Sequence, residues 1–504
     1  MELKKLQNGS DIRGIALDGV PGEHVNLTLE AVEKIAYGFG LWLSQKTGKE
    51  CKDLRVGIGR DSRISGPSIL KTAAECLLNM GISVFDCDLA STPAMFMTTV
   101  TPGYEYDGSI MVTASHLPYN RNGLKFFTKE GGLEKTDIAQ IIEFAEKFEA
   151  PCAPKGAYKR VDFITVYGDI LADKIRKDVD AEDYKRPLKG FKIVVDAGNG
   201  AGGFYATILK SLGADINGSQ FLEPDGKFPN HVPNPEDETA MQAIIDATLK
   251  NKADLGIIFD TDVDRAGAVS SDGKEINKNR LIALISAILL EEFPHTTIVT
   301  DSVTSSGLKE FIESKGGIHH RFKRGYKNVI NESIRLNKEG QDSQLAIETS
   351  GHGALKENYF LDDGAYLITK IIIKMAKLKK EGKDIASLTA DLKEPAEAVA
   401  FRMNIGYEDF KAYGQQIIDD LTAFAEQDST FHIVPNNYEG IRVSFDKEDG
   451  DGWFLLRLSL HEPLIPLNIE SDSVGGTKKI AKKLYDFLKK YEMLDIHTLE
   501  EYIR

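Results

Sequence analysis

Three times along this chain an apolar, β-rich run turns into a helical pattern, and that rhythm restricts the fold more than any other feature. LRVGIGRD is followed by PSILKTAAECLLNMG and then ISVFDCD, which reads as strand, helix, strand. FKIVVDAGNG leads into FYATILKSLGA, and TTIVTD into SSGLKEFIESKGG. Strands alternating with longer helical patterns predict α/β domains. At 504 residues the chain is too long for one hydrophobic core, so three or four domains are expected. From about residue 396 the pattern changes to AVAFRMN, GIRVSF and WFLLRLSL with helices such as GTKKIAKKLYDFLKKY, which predicts a smaller α+β domain. Turn residues and charge place joints near 155–188, 275 and 395.

A net charge of −15 argues against nucleic acid as the main partner, because phosphate backbones attract basic surfaces. A small anionic substrate remains compatible, since a local cationic cleft can act against the sign of the whole surface. No stretch has the apolar length of a membrane span, and MELKKLQNGSDIRG lacks a secretory apolar run. Cys51, Cys76, Cys87 and Cys152 show no zinc-like spacing and read as reduced thiols of a cytoplasmic protein.

The sharpest local signal is DLGIIFDTDVDRAG. An apolar strand runs into Asp260, Asp262 and Asp264, and extended backbone would put all three carboxylates on one side. Clustered carboxylates repel without a cation, and hard oxygen donors favour magnesium or calcium. The EF-hand pattern fails at Arg265 and Ser271, and a solvated acidic turn is the plain alternative. In SIMVTASHLPYNRNGLKFF a strand-like run ends at Ser115 and His116, and a polar loop leads to Lys125. The serine is a nucleophile or phosphate carrier, or else an ordinary turn residue; the hydrolase GxSxG frame is absent. Ser115 and His116 would diverge if both lay on a strand.

DAGNGAGG satisfies GxGxxG with Glu223 beyond it, but Asp196 would repel a pyrophosphate, and a tight strand-to-helix turn accounts for it. Glu348, Ser350 and His352 of AIETSGHGALKENYF offer groups that hydrogen-bond sugar hydroxyls, or form a polar loop. Arg13 in SDIRG, Arg324 with Lys327 in HHRFKRGYKN, and Arg457, Ser459 and His461 in RLSLHEP suit phosphate, and equally suit a solvated surface.

Taken together and in this order, these segments resemble the alpha-D-phosphohexomutase family, which includes phosphomannomutases and phosphoglucomutases. TASHLPYNRNGLKFF is similar to its phosphoserine loop, DTDVDR to its metal loop, ETSGH to its sugar loop and RLSLHEP to its phosphate loop. SDIRG, GRDSR and PDGKFPNHVPNPE add supporting matches. The resemblance implies three related α/β domains with mixed sheets plus a smaller α+β C-terminal domain around a central cleft. It assigns residues 1–160 to the phosphoserine domain, 161–275 to metal binding, 276–395 to sugar binding and 396–504 to phosphate binding.

The resemblance further implies that Ser115 carries the phosphate and, with Asp260, Asp262 and Asp264, faces Mg2+. Arg13, His116, Lys125 and Arg265 match positions for phosphoryl-transfer and proton chemistry. Arg324, Tyr326, Glu348, Ser350, His352, Arg457, Ser459 and His461 match substrate contacts. The expected enzyme is an isomerase that interconverts hexose 1-phosphate and hexose 6-phosphate, of mannose or glucose, through a hexose 1,6-bisphosphate. The chain departs from the family pattern at Leu117, Tyr326, Ile347, Leu460 and His461. Alternatives are a mutase of phosphoglucosamine or phosphopentose, a phosphatase with an aspartate nucleophile, and a non-catalytic sugar-phosphate binder. The aspartyl phosphatase motif fails at Asp264 and leaves Ser115 unexplained.

Overall fold

The computed structural model describes residues 2–151, 154–459 and 462–504. It divides into two compact units, Met1–Leu281 with Ser350–Ser387 and Ile282–Thr349 with Leu388–Arg504.

The first unit opens with a mixed sheet whose central strands Arg55–Arg60, Ser83–Leu89 and Gly108–Val112 run parallel. Asp11–Ile15 and Arg121–Thr128 join it antiparallel, and Tyr158–Arg160 extends the far edge. The helix Leu29–Thr47 covers it, buried through Val32, Ile35, Ala36, Phe39 and Leu43, the i, i+3, i+4 spacing of one helical face. Thr28 caps this helix by accepting the Ala31 N–H at 3.2 Å, and Gly48 ends it at φ +70°. A Cβ on Gly38 would lie 2.2 Å from the Ile141 carbonyl, so glycine permits the close approach of the helix Lys135–Glu146.

A second mixed sheet pairs Ile193–Asp196 parallel with Leu255–Phe259, which pairs antiparallel with Ala266–Ser270. The DAGNG segment is the turn between Ile193–Asp196 and the helix Gly203–Ser211, as the turn reading expects. Within it, Gly200 accommodates the loop that follows Leu255–Phe259. A Cβ on Gly200 would meet the Thr261 carbonyl at 2.6 Å, and the Ala201 N–H donates to that carbonyl at 2.8 Å. The hairpin Gly353–Leu355 with Leu361–Asp362 and the helix Gly364–Lys380 complete this unit.

In the second unit Thr297–Thr300 lies between two parallel partners, Ile318–Arg321 and Ser343–Ile347. A separate antiparallel sheet runs Glu397–Asn404, Leu464–Ser471, Gly452–Leu456, Ile441–Phe445, His432–Ile433. The helices Phe410–Ala425 and Gly476–Leu488 bury Ile417, Leu421, Ile480 and Leu484 in its core. The fold is thus three α/β domains with mixed sheets and a smaller C-terminal sheet domain. Cys51, Cys76 and Cys87 are free thiols, and Cys152 lies outside the described residues. Among the described residues no helix is long and apolar enough to cross a membrane.

Candidate active site

Leu255–Phe259 is buried throughout, and the chain leaves it at Asp260 and returns at Ala266. The extended i, i+2, i+4 arrangement read from the sequence is not what gathers the carboxylates. Val263 takes φ +68° and the Asp260 N–H donates to the Arg265 carbonyl at 3.3 Å, which closes a tight loop. Asp260, Asp262 and Asp264 are at most 1% exposed, with ligand oxygens within 4.8 Å of one another.

Ser115 meets this loop from the end of the buried strand Gly108–Val112. It has left the strand and adopts φ +53°, with its N–H donating to Thr113 Oγ1 at 2.9 Å. That turn brings neighbours together that a strand would separate: Ser115 Oγ lies 3.4 Å from His116 Nδ1. The same hydroxyl donates to Asp260 Oδ2 at 3.2 Å and accepts from Arg265 Nη2 at 3.0 Å. Arg265 is also held to Asp260 through Nε at 3.1 Å. Lys125 bonds Asp264 and stands 3.3 Å from Asp262. Arg13 is paired with Asp11 at 2.8 Å, and the reach of its charge extends to His116.

Burial pushes the Asp260 carboxyl up, and the Asp264 and Asp262 charges add to that. Burial acts the same way on Asp264 but is outweighed by Lys125, His352 and Arg265, which hold it well below the carboxylate range. His116 is drawn down to about 3 by burial and by the cations Arg265 and Arg13, so its imidazole is neutral. Burial lowers His352 too, but Asp362 and Asp264 overcome it and raise the group to about 9.

The ETSGH loop does not keep its polar groups as one set. His352 joins Asp264, its Nδ1 bonded to Asp362 at 2.5 Å, and Ser350 is 7% exposed. Glu348 belongs to the second unit and accepts the Gly325 N–H at 2.6 Å, at the start of the helix Tyr326–Lys338. The Arg324 N–H donates to Glu439 at 3.0 Å. Arg457 follows the strand Gly452–Leu456, and its Nε is buried without a hydrogen-bond partner among the described residues. Ser459 Oγ accepts the Glu462 N–H at 3.3 Å, while His461 and Leu460 lie outside the described residues.

Sequence reading missed three participants. Thr92 hydrogen-bonds Asp262 through its hydroxyl and donates its N–H to the Asp262 carbonyl at 2.8 Å. Asp362 holds His352, and Arg63 holds the serine loop. The STP helix start at Ser91 and the acidic pair in FLDDG were the available signals.

A buried serine hydroxyl, a buried carboxylate triad and fixed cations converging on one point suit phosphoryl transfer. Comparison with known proteins narrows that class. Residues 4–150, 169–273 and 277–394 match domains I, II and III of the phosphoglucomutase/phosphomannomutase alpha/beta/alpha family. A phosphoglucomutase/phosphomannomutase of Thermococcus kodakarensis is 31% identical over 93% of this chain and 95% of its own. A phosphoglucomutase of Neisseria gonorrhoeae is 29% identical over 94% of each chain. The crystal structure of a phosphoglucomutase/phosphomannomutase family protein from Burkholderia thailandensis superposes with TM-score 0.77 at 27% identity, covering 97% of this chain and 98% of its own. The chain belongs to the phosphoglucomutase/phosphomannomutase family and is an enzyme of the mutase class.

Proposed function

We propose that this enzyme interconverts hexose 1-phosphate and hexose 6-phosphate, of glucose, mannose or both, through phosphorylated Ser115 and a hexose 1,6-bisphosphate. The observation that carries the reading is the Ser115 hydroxyl bonded to Asp260 and Arg265 at the lip of the carboxylate triad. Arg265 Nε already occupies Asp260, the position an aspartyl nucleophile would take, which supports the serine as carrier.

The donor set fits a magnesium ion. The oxygens are hard, and Asp262 Oδ1 and Asp264 Oδ1 are buried without hydrogen-bond partners among the described residues. Asp260, Asp262, Asp264 and the phosphorylated Ser115 would hold it, and when bound it supplies charge neutralisation to the phosphoryl group.

In the forward step the P–Oγ bond of phosphoserine breaks as a bond forms from phosphorus to a sugar hydroxyl oxygen. The hydroxyl proton is returned to Ser115 Oγ, and the neutral His116 imidazole 3.4 Å away is placed to relay it. Arg265 and Lys125 balance the charge carried by the transferring group. Turning the bisphosphate and running the step in reverse recharges the serine with the other phosphate. Arg324, Tyr326, Glu348, Ser350, His352 and Arg457 with Ser459 are proposed to bind the sugar and its distal phosphate.

The test is enzyme labelled with 32P-glucose 1,6-bisphosphate, digested and mapped. Acid-stable label on the Ser115 peptide is expected, together with Ser115→Ala activity lowered by several orders of magnitude. Acid-labile label on an aspartate peptide would sink the carrier assignment. Initial rates on a panel of sugar 1-phosphates rank glucose and mannose against glucosamine and pentose.

A further inference from the structure

Arg63 has no part in the chemistry proposed above, yet its guanidinium makes four hydrogen bonds to the main chain of the serine loop. It and Asp61 are both 0% exposed, with Arg63 Nε 3.2 Å from Asp61 Oδ2. Its Nη1 donates to the carbonyls of Pro118 at 2.7 Å and Arg121 at 3.0 Å. Its Nη2 donates to the carbonyls of Ser115 and of Leu117, the latter at 2.6 Å. One guanidinium therefore collects four main-chain carbonyls from the seven-residue stretch that carries the nucleophile.

Asp61 is itself fixed, since its N–H donates to the Val112 carbonyl at 3.1 Å and its Oδ1 accepts the Arg63 N–H at 2.9 Å. The pair is thus anchored to the strand that delivers Ser115. A cover closes over it: the Phe228 ring stands 5.2 Å from the guanidinium, and a Cβ on Gly226 would meet the Ile64 nitrogen at 2.5 Å.

Burying a guanidinium is costly unless its donors and charge are satisfied. A methionine or leucine would fill such a space more cheaply, so the arrangement calls for an explanation beyond filling volume. Two features supply one. Ser115 is in the left-handed region at φ +53°, a conformation that is strained for a non-glycine residue and needs outside support. The peptide after Ser115 is trans and planar, so with its carbonyl drawn to Arg63 the His116 N–H points the opposite way.

We propose that Arg63, anchored by Asp61, is the positioning residue that fixes the Ser115–His116 peptide and so the direction of the phosphoryl group on Ser115. Lysine cannot replace it, because a point-charge ammonium has no planar fork to span four carbonyls. The inference rests on the reading of Ser115 as carrier given above.

The experiment uses the full chain with Arg63→Lys, and Asp61→Asn as a milder variant that keeps the guanidinium and relaxes its anchor. Each enzyme is charged with 32P-glucose 1,6-bisphosphate, and two fates of the label are timed: transfer to glucose 6-phosphate and loss to water. Their ratio is a property of each phosphorylated molecule, so it does not depend on how much of the sample is folded. Misplacing the serine should slow transfer about 100-fold. Hydrolysis should not slow, so the transfer-to-hydrolysis ratio drops by a similar factor while KM for the sugar phosphate holds. Asp61→Asn should move the ratio the same way by less, and it carries the test if Arg63→Lys does not fold. A wild-type ratio in folded variants, with only Tm lowered, would reduce Arg63 to packing and overturn the proposal. Wild-type label absent from Ser115 would overturn the carrier reading and this proposal with it, whereas label on Ser115 with an unchanged ratio overturns the proposal alone.

Discussion

Lys125 Nζ stands 3.3 Å from Asp262 Oδ2 and bonds Asp264 as well, so one cation is already built into the carboxylate triad. Lys125 comes from the strand Arg121–Thr128, the antiparallel neighbour of the strand that leads to Ser115. Serine and lysine therefore reach the triad from adjacent strands of the first sheet, while the carboxylates come from the second.

That geometry would set lysine and the proposed Mg2+ in competition for the same two carboxylates. Removing a unit charge a few ångströms from a cation site in a partly screened interior is worth a few kcal/mol. Lys125→Met should therefore tighten Mg2+ binding by about tenfold or more while kcat falls. Asp262→Asn, which removes a ligand charge, should weaken the metal and the rate together. Calorimetric titration of both variants with Mg2+ separates the two effects; weaker binding in Lys125→Met would contradict the competition.

In the second unit, burial pushes the Glu470 carboxyl up to about 7, although the Trp453 Nε1–H donates to it at 3.0 Å. The folded chain then keeps a proton that the unfolded chain releases from about 4.5 upward. Stability contributed at this site is lost as pH rises through that window, and the loss levels off above pH 7. Glu470→Gln removes the charge that has to be buried, so it should be more stable than wild type at pH 8. The gain should be on the order of 2 kcal/mol after discounting for partial exposure, and it should shrink toward zero near pH 5. Urea unfolding at the two pH values checks this, and an equal difference at both would refute it.

The parts of the site that were legible in the sequence are those whose chemistry sits in the side chains of one short segment. LGIIF announced a buried strand and DTDVDR a cluster of carboxylates, and both are there. The way the carboxylates gather was not legible, because it depends on a positive φ at Val263, a β-branched residue for which sequence gives no warning. Arg63 stayed unassigned although GRDSR was noticed, since its partners are main-chain carbonyls more than fifty residues away. The glycines of DAGNGAGG were visible as a pattern, but what each accommodates, such as the Thr261 backbone against Gly200 and the Leu222 carbonyl against Gly203, is fixed only by the packing of one segment on another. ETSGH read as a single loop, yet Glu348 and His352 find partners in different units.

Arg457 offers the last test. Its guanidinium is drawn down by burial, with Glu439, Arg324 and Asp301 close enough to act on it, and its Nε has no hydrogen-bond partner among the described residues. A buried donor left open in this way suits an anion, and a planar fork suits a phosphate. If this residue clamps the distal phosphate, it does so for both substrates, because the 1-phosphate and the 6-phosphate exchange places in the proposed cycle. Losing a charge-assisted contact costs on the order of 2–3 kcal/mol, a fall of roughly 30- to 150-fold in kcat/KM. Arg457→Ala should show that fall in both reaction directions. The competing view is that Arg457 only prolongs the edge of its strand, where its N–H donates to the Pro466 carbonyl at 3.2 Å and the Ser459 N–H to Leu464 at 3.0 Å. Those main-chain bonds survive the substitution, so that view predicts at most a lower Tm with KM unchanged. Kinetics on the folded variant decide between them: a loss confined to one direction would count against a shared clamp, and no loss in either would remove Arg457 from the binding site.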